Sequence, residues 1–288
     1  MSISAELGAE KLVDLPAGQV EYRERGSGRP VVFVHGLLTN GDLWRKVVPA
    51  VADAGYRCIT PDWPFGGHRI PVPDADLTPA GVGDLMGEFL AALELNDAVI
   101  VGTDTGGGMT QMLMERHPQR IGGVVLTPSD SLEVFPPKMF GYLPLSVRIP
   151  GFVWLMAQAL RIRALHHLPM LFGWLTKRGF PPHVMDSFLT PMRRDAAVRA
   201  DFTRFVAPMH RRHLLAAAEH FAQFRRPVLL AWSIEDRIFP ISLAHRLERL
   251  LPNARIEPIE DSYTFVAEDQ PDLLARHIIE FAGAGAAA

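Results

Sequence analysis

Apolar residues in this chain come in two patterns. Short unbroken runs, rich in β-branched residues, mark strands buried on both faces: VVFV at 31–34, YRCIT at 56–60, AVIVGT at 98–103 and IGGVVLTPS at 121–129. Between them, apolar residues recur every three or four positions, as helices require. LWRKVVPAVADAG stops at Gly55, and GGGMTQMLMERHP is closed by Pro118. TPAGVGDLMGEFLAALEL has Thr78 as its N-cap and Pro79 in the first helical position. Ahead of these, GQVEYRERGSGRP predicts a short hairpin turning at Gly26-Ser27-Gly28.

The alternation predicts a mostly parallel sheet with helices on both faces. It lapses from about Asp130 to Phe224, where helical segments carry Pro, Phe, Met and His but no buried strand. It resumes with PVLLAWS, SLAHRLERLLP, ARIEPIE and PDLLARHIIEFA. The expected organisation is an α/β core over 1–130 and 225–288, interrupted after about the sixth strand by a helical cap over 131–224.

Composition narrows the function classes. With 48% hydrophobic and 21% charged residues the chain reads as soluble and globular, and a net charge of −3 gives no basic excess for nucleic acid or an anionic membrane. The arginines of RIRALHH, MRRDAAVRA and HRRH are interrupted by apolar residues and read as solvated helix faces. The one cysteine, Cys58, is expected to be a small core residue. No secretory signal pattern opens the chain and no long charge-free apolar run occurs, so a cytoplasmic location is the default expectation. The tail FAGAGAAA is expected to fray. There is no H-E-x-x-H, no metal-type Cys/His spacing and no phosphate loop, so neither metal nor cofactor is expected.

The chemistry gathers where strands end. Gly102-Thr103-Asp104-Thr105-Gly106 places Asp104 between a buried strand and a helix, in the pattern of a nucleophile elbow. Small flanking residues let the two elements meet in a strained turn, and the helix N-terminus suits an anion. A helix-capping aspartate is the plainer alternative. His35-Gly36 follows VVFV, so the N–H groups of Leu37 and Thr105 can form the two sides of an oxyanion hole. His35 is expected to hold that loop and Trp44 to wall the pocket. Asp236, just past PVLLAWS, stands where a triad acid belongs in the order nucleophile, acid, histidine.

Together these residues resemble the α/β-hydrolase superfamily, and within it the aspartate-nucleophile branch of haloalkane dehalogenases and epoxide hydrolases. The resemblance spans nearly the whole chain. It implies an α/β-hydrolase fold of about eight strands. It also implies attack by a carboxylate on an electrophilic carbon, then hydrolysis of the resulting ester by water that a histidine activates.

The pattern breaks at that histidine. In DSYTFVAEDQP, Phe265, Glu268, Asp269 and Pro271 fall into register, and the histidine position holds Thr264. Threonine takes no proton near neutral pH, and losing a positioned base forfeits about 10²–10⁴ in rate. His68, in PFGGHR after the strand YRCIT, is the best substitute among eleven histidines, with a loop-stabilising role as the alternative; His166 and His167 lie in the cap. The branch's halide-holding Trp and Asn positions are Thr105 and Leu37, and the cap contains only Tyr142 to protonate an epoxide. Phe135, Met139, Phe140, Trp154, Met156, Met170, Phe172 and Trp174 predict a pocket for an apolar small molecule. Three readings stand: a hydrolase with Asp104 as nucleophile and an atypical base, a non-hydrolytic enzyme with Asp104 as general base or electrostatic anchor, and a silent small-molecule binder.

Overall fold

The computed structural model describes residues 5–284. Its strands are β1 (Ala9–Leu15), β2 (Gly18–Arg25), β3 (Pro30–Val34), β4 (Arg57–Pro61), β5 (Ala98–Thr103), β6 (Ile121–Ser129), β7 (Val228–Ser233) and β8 (Ala254–Ile259). They form one sheet in the order β1-β2-β4-β3-β5-β6-β7-β8. Pairing is antiparallel for β1–β2 and β2–β4 and parallel from β4 onward. The central strands β5, β6 and β7 are buried along their full length, as expected of apolar runs covered on both faces.

The helices are α1 (Val48–Asp53), α2 (Pro79–Ala92), α3 (Asp104–Arg116), α4 (Leu143–Ser146), α5 (Phe152–Ala159), α6 (Pro182–Arg194), α7 (Ala196–Val206), α8 (Arg212–Ala218), α9 (Ile241–Leu250), α10 (Val266–Asp269) and α11 (Pro271–Ala284). Helix α2 begins as its sequence dictates, the Thr78 hydroxyl accepting the Gly81 N–H at 3.1 Å with Pro79 following. Helices α4–α8 all lie between β6 and β7. Cys58 is free and buried, and burial pushes its thiol up to about 12. Of the tail expected to fray, residues 281–284 end α11 and the remainder falls outside the described residues.

The hairpin differs from the expectation. It is β1–β2, turning at Pro16-Ala17 with Leu15 opposite Gly18. β1 is an edge strand whose residues are mostly exposed, and its charged sequence AEKLVDL carries little of the apolar signal by which strands are recognised. Gly26-Ser27-Gly28 instead carries the chain from β2 past β4 to β3. Both glycines have positive φ, and a Cβ on either would meet a backbone carbonyl oxygen, of Tyr56 or of Gly55, at 2.3 Å.

Candidate active site

The central carboxylate is set by backbone geometry. Asp104 follows β5, opens α3 and has φ 51°, a left-handed conformation that L-residues adopt only where surrounding structure enforces it. The glycines around it allow close approach. A Cβ on Gly106 would lie 2.2 Å from the His35 carbonyl oxygen, and one on Gly36 would lie 2.2 Å from Asp104 Oδ2. The Leu37 N–H donates to Asp104 Oδ2 at 3.1 Å, and the Thr105 N–H also serves this carboxylate. Both expected oxyanion donors therefore converge on Asp104 itself. Burial raises the Asp104 pKa to about 7; the two N–H donors oppose the rise, and the charge of Asp236 adds to it.

Asp104, Leu37 and Thr105 line one cavity. Its other walls include Leu38, Pro136, Pro137, Phe140, Tyr142, Leu143, Met156, Met170, Phe172 and Phe202. Four of the aromatic and methionine residues anticipated for the pocket are thus in its lining. Phe135 is instead buried in the core, Trp154 is exposed, and Met139 and Trp174 pack against the core cluster.

Several sequence candidates lie outside this lining. Trp44 is fully buried, with its ring 5.1 Å from that of Phe33, so it fills the core beneath the loop rather than walling the pocket. His35 Nε2 accepts the Trp63 N–H at 2.8 Å and its Nδ1 lies 3.0 Å from the Gly36 carbonyl, so the ring joins two loops. Burial lowers the His35 pKa to about 3, which keeps the imidazole neutral. His68 is buried with Nε2 3.2 Å from Asp201 Oδ2, and Asp201 also accepts the Val72 N–H at 2.8 Å. The ring is spent on fastening its loop to α7, which matches the loop-stabilising alternative. His166 lies 2.7 Å from the Leu160 carbonyl, and among the described residues no histidine lines the cavity.

Thr264, the position expected from the resemblance to hold a histidine, is tied into the fold. Its hydroxyl donates to Asp236 Oδ2 at 2.7 Å, its carbonyl accepts the Thr103 hydroxyl at 3.2 Å, and its side chain is fully buried. The other oxygen of Asp236 accepts the N–H groups of Ile238 and Phe239. Burial raises the Asp236 pKa to about 6, against these three donors. Asp236 and Thr264 thus satisfy each other inside the fold. Thr264→Val keeps the shape and removes the donor, and is expected to lower unfolding free energy at pH 8 by about 1–3 kcal/mol in urea titration.

The structure adds a residue that the sequence reading did not single out. Asp130 lies just past β6, the parallel neighbour of β5, and Asp104 pairs with Ser129 in an isolated parallel bridge. The Asp130 N–H donates to the Asp104 carbonyl at 3.3 Å, and Asp130 lines the same cavity. Gln111 Nε2 donates to the Asp130 carbonyl at 2.7 Å and fixes the segment. The signal available in sequence was positional: TPSDS ends a buried strand, at the sheet edge where ligands bind.

Comparison with known proteins bears on the fold and the family. The chain is 27% identical over 277 residues to the uncharacterized hydrolase YugF of Bacillus subtilis, covering 91% of this chain and 92% of that one. It is 26% identical over 299 residues to haloalkane dehalogenase 2 of Mycobacterium tuberculosis, covering 93% and 92%. A shorter match, 44% identical over 103 residues, covers 35% of this chain and 31% of an epoxide hydrolase of Caballeronia sordidicola. In fold, it superposes with a TM-score of 0.77 on haloalkane dehalogenase DbeA of Bradyrhizobium elkani, at 20% identity and covering 97% and 99% of the two chains. Residues 29–271 match the model of the alpha/beta hydrolase fold, and the chain belongs to that family.

Proposed function

We propose that this chain hydrolyses an apolar small molecule by covalent catalysis, with Asp104 as the nucleophile and without a histidine base. One observation carries the reading. The Asp104 carboxylate, forced onto a left-handed corner, lines a largely apolar cavity with one oxygen already held by the Leu37 N–H. That leaves Oδ1 to attack, while the Leu37 and Thr105 N–H groups face the oxygen that gains charge when the ester is later cleaved. Residues 131–224 act as a helical cap, and its Phe140, Met156, Met170 and Phe172 exclude water from the reacting atoms. The dehalogenase and epoxide hydrolase relatives support an electrophilic carbon as the point of attack.

The test is trapping. The protein is incubated with a haloalkane, an epoxide and an activated ester, and peptides spanning Asp104 are weighed by mass spectrometry. A mass increase on Asp104 is expected, and turnover in ¹⁸O-water should leave the label in its carboxyl group. Product formed with neither adduct nor label would rule the reading out. That outcome would favour Asp104 as a general base in a non-hydrolytic step. The observation that favours this second reading is a cavity lining without histidine among the described residues.

A further inference from the structure

The cavity contains a polar atom that the fold does not satisfy. Asp130 is about 1% exposed and lines the cavity beside Asp104, yet its Oδ1 has no hydrogen-bond partner among the described residues. Burial and the charge of Asp104 raise the pKa of this carboxyl, and the Thr105 hydroxyl, which lies near it, lowers it. A buried polar atom left unpaired is destabilising, and a carboxyl is the most expensive case when charged. The surrounding structure nevertheless holds it firmly. Gln111 and the Ser131 hydroxyl each bond the Asp130 carbonyl at 2.7 Å, and α3 passes close at Gly108, where a Cβ would sit 3.0 Å from the Asp130 Cβ. Packing alone would favour an apolar residue here. A carboxyl held in the lining of a cavity, beside Asp104 and with one oxygen unpaired, is placed to act on what the cavity takes in.

We infer that Asp130 is the acid–base residue of this site, taking the work that the missing histidine would do; the inference rests on the covalent reading of Asp104. Burial, and then the charge of Asp104, hold the Asp130 pKa well above the usual carboxylate range, so Asp130 begins protonated while Asp104 ionises first. In the first step an Asp104 oxygen forms a bond to carbon as the carbon–leaving-group bond breaks. If the leaving atom is oxygen, the Asp130 proton passes to it and Asp130 becomes a carboxylate. In the second step that carboxylate takes a proton from water as the water oxygen adds to the Asp104 ester carbonyl. The intermediate then collapses, and its remaining hydroxyl proton passes to the departing alkoxide. The alcohol leaves, Asp104 is again a carboxylate, and Asp130 is again an acid. One carboxyl thus serves as acid and then as base, as in glycosidases that proceed through a covalent intermediate. A departing halide takes no proton. Once esterification has removed the Asp104 charge that raises Asp130, the Asp130 proton is released to solvent with the halide, and the carboxylate so formed acts only in the second step.

That difference supplies the experiment. Wild type and Asp130→Asn are mixed with 1-bromohexane and, separately, with 1,2-epoxyhexane, and the mass of the Asp104 peptide is followed in time. With the bromide, Asp130→Asn is expected to form the adduct within a few-fold of the wild-type rate and to release it about 10²–10⁴ times more slowly. With the epoxide, both formation and release should slow. Capture of the bromide also shows that the variant's site is folded. An adduct that clears from Asp130→Asn at the wild-type rate would overturn the inference and leave the covalent reading intact. Loss of bromide capture in the variant alone would make Asp130 a structural support and overturn it as well. Absence of any Asp104 adduct in both proteins with both probes would remove the covalent reading first, and this inference with it.

Discussion

Asp104→Asn is expected to abolish covalent capture and to lower turnover of the trapped substrate by roughly 10⁴-fold or more, the scale seen when a nucleophile is removed from a covalent site. The amide matches the carboxylate in shape and can still accept the Leu37 N–H, so the fold and cavity should survive. It is a far weaker nucleophile and cannot supply the anion. Steady-state rates and intact-protein mass spectra, measured on the same preparation, give the result directly. A general-base role predicts a different pattern: loss of turnover in the variant, and no adduct in wild type at any time. A silent binder predicts no turnover by either protein and similar thermal stabilisation of both by apolar compounds. An Asp104→Asn variant retaining more than about a tenth of wild-type activity would remove Asp104 from the chemistry altogether.

Much of this site was legible in sequence because its parts are tied to strand ends. The elbow was readable from Gly102 and Gly106: the collisions a Cβ would suffer at Gly106 and Gly36 show why only glycine fits beside a left-handed Asp104. Leu37 and Thr105 followed from the same geometry, since their N–H groups need no particular side chain. The register of Phe265 to Pro271 singled out Thr264, although its hydrogen bond to Asp236 was not readable. Side-chain direction was the point of failure. Trp44 and His68 occupy loops at the correct sheet edge, but one packs on Phe33 and the other bonds Asp201, some 130 residues further along the chain. Asp130 was missed for a related reason. Its nearness to Asp104 comes from parallel pairing of β5 with β6, and local pattern alone does not specify which strands are neighbours. β1 was missed because a charged edge strand has little apolar periodicity to read.

Those buried carboxyls set the last expected result: the fold should lose stability as pH rises through neutrality, and Asp104→Asn should recover part of the loss. Burial raises the pKa values of Asp62 and Asp104 to about 7 and of Asp236 to about 6, and holds that of Asp130 well above its usual value. A carboxyl whose folded pKa exceeds its unfolded value binds its proton more tightly in the folded state. Its stabilising effect is complete below the unfolded value of 3.8 and is lost as pH climbs to the folded value. For Asp104 the window runs from 3.8 to about 7, and the loss is on the order of 4 kcal/mol once both states are ionised. Groups with lowered pKa values, such as Asp84 beside Arg116 and Glu133 beside Arg246, act in the opposite sense, but their contribution is lost at acid pH, outside this window. Urea unfolding at pH 5 and pH 8 should therefore show wild type weaker at pH 8. Asp104→Asn carries no charge in either state, so it should exceed wild type by a few kcal/mol at pH 8 and by much less at pH 5. The residue assigned the chemistry is then also one the fold is strained to hold, which is the relation expected where a charge is kept for reaction rather than for stability. Equal stability of the two proteins at both pH values would mean that the Asp104 carboxylate is solvated, and would place it outside a closed apolar cavity.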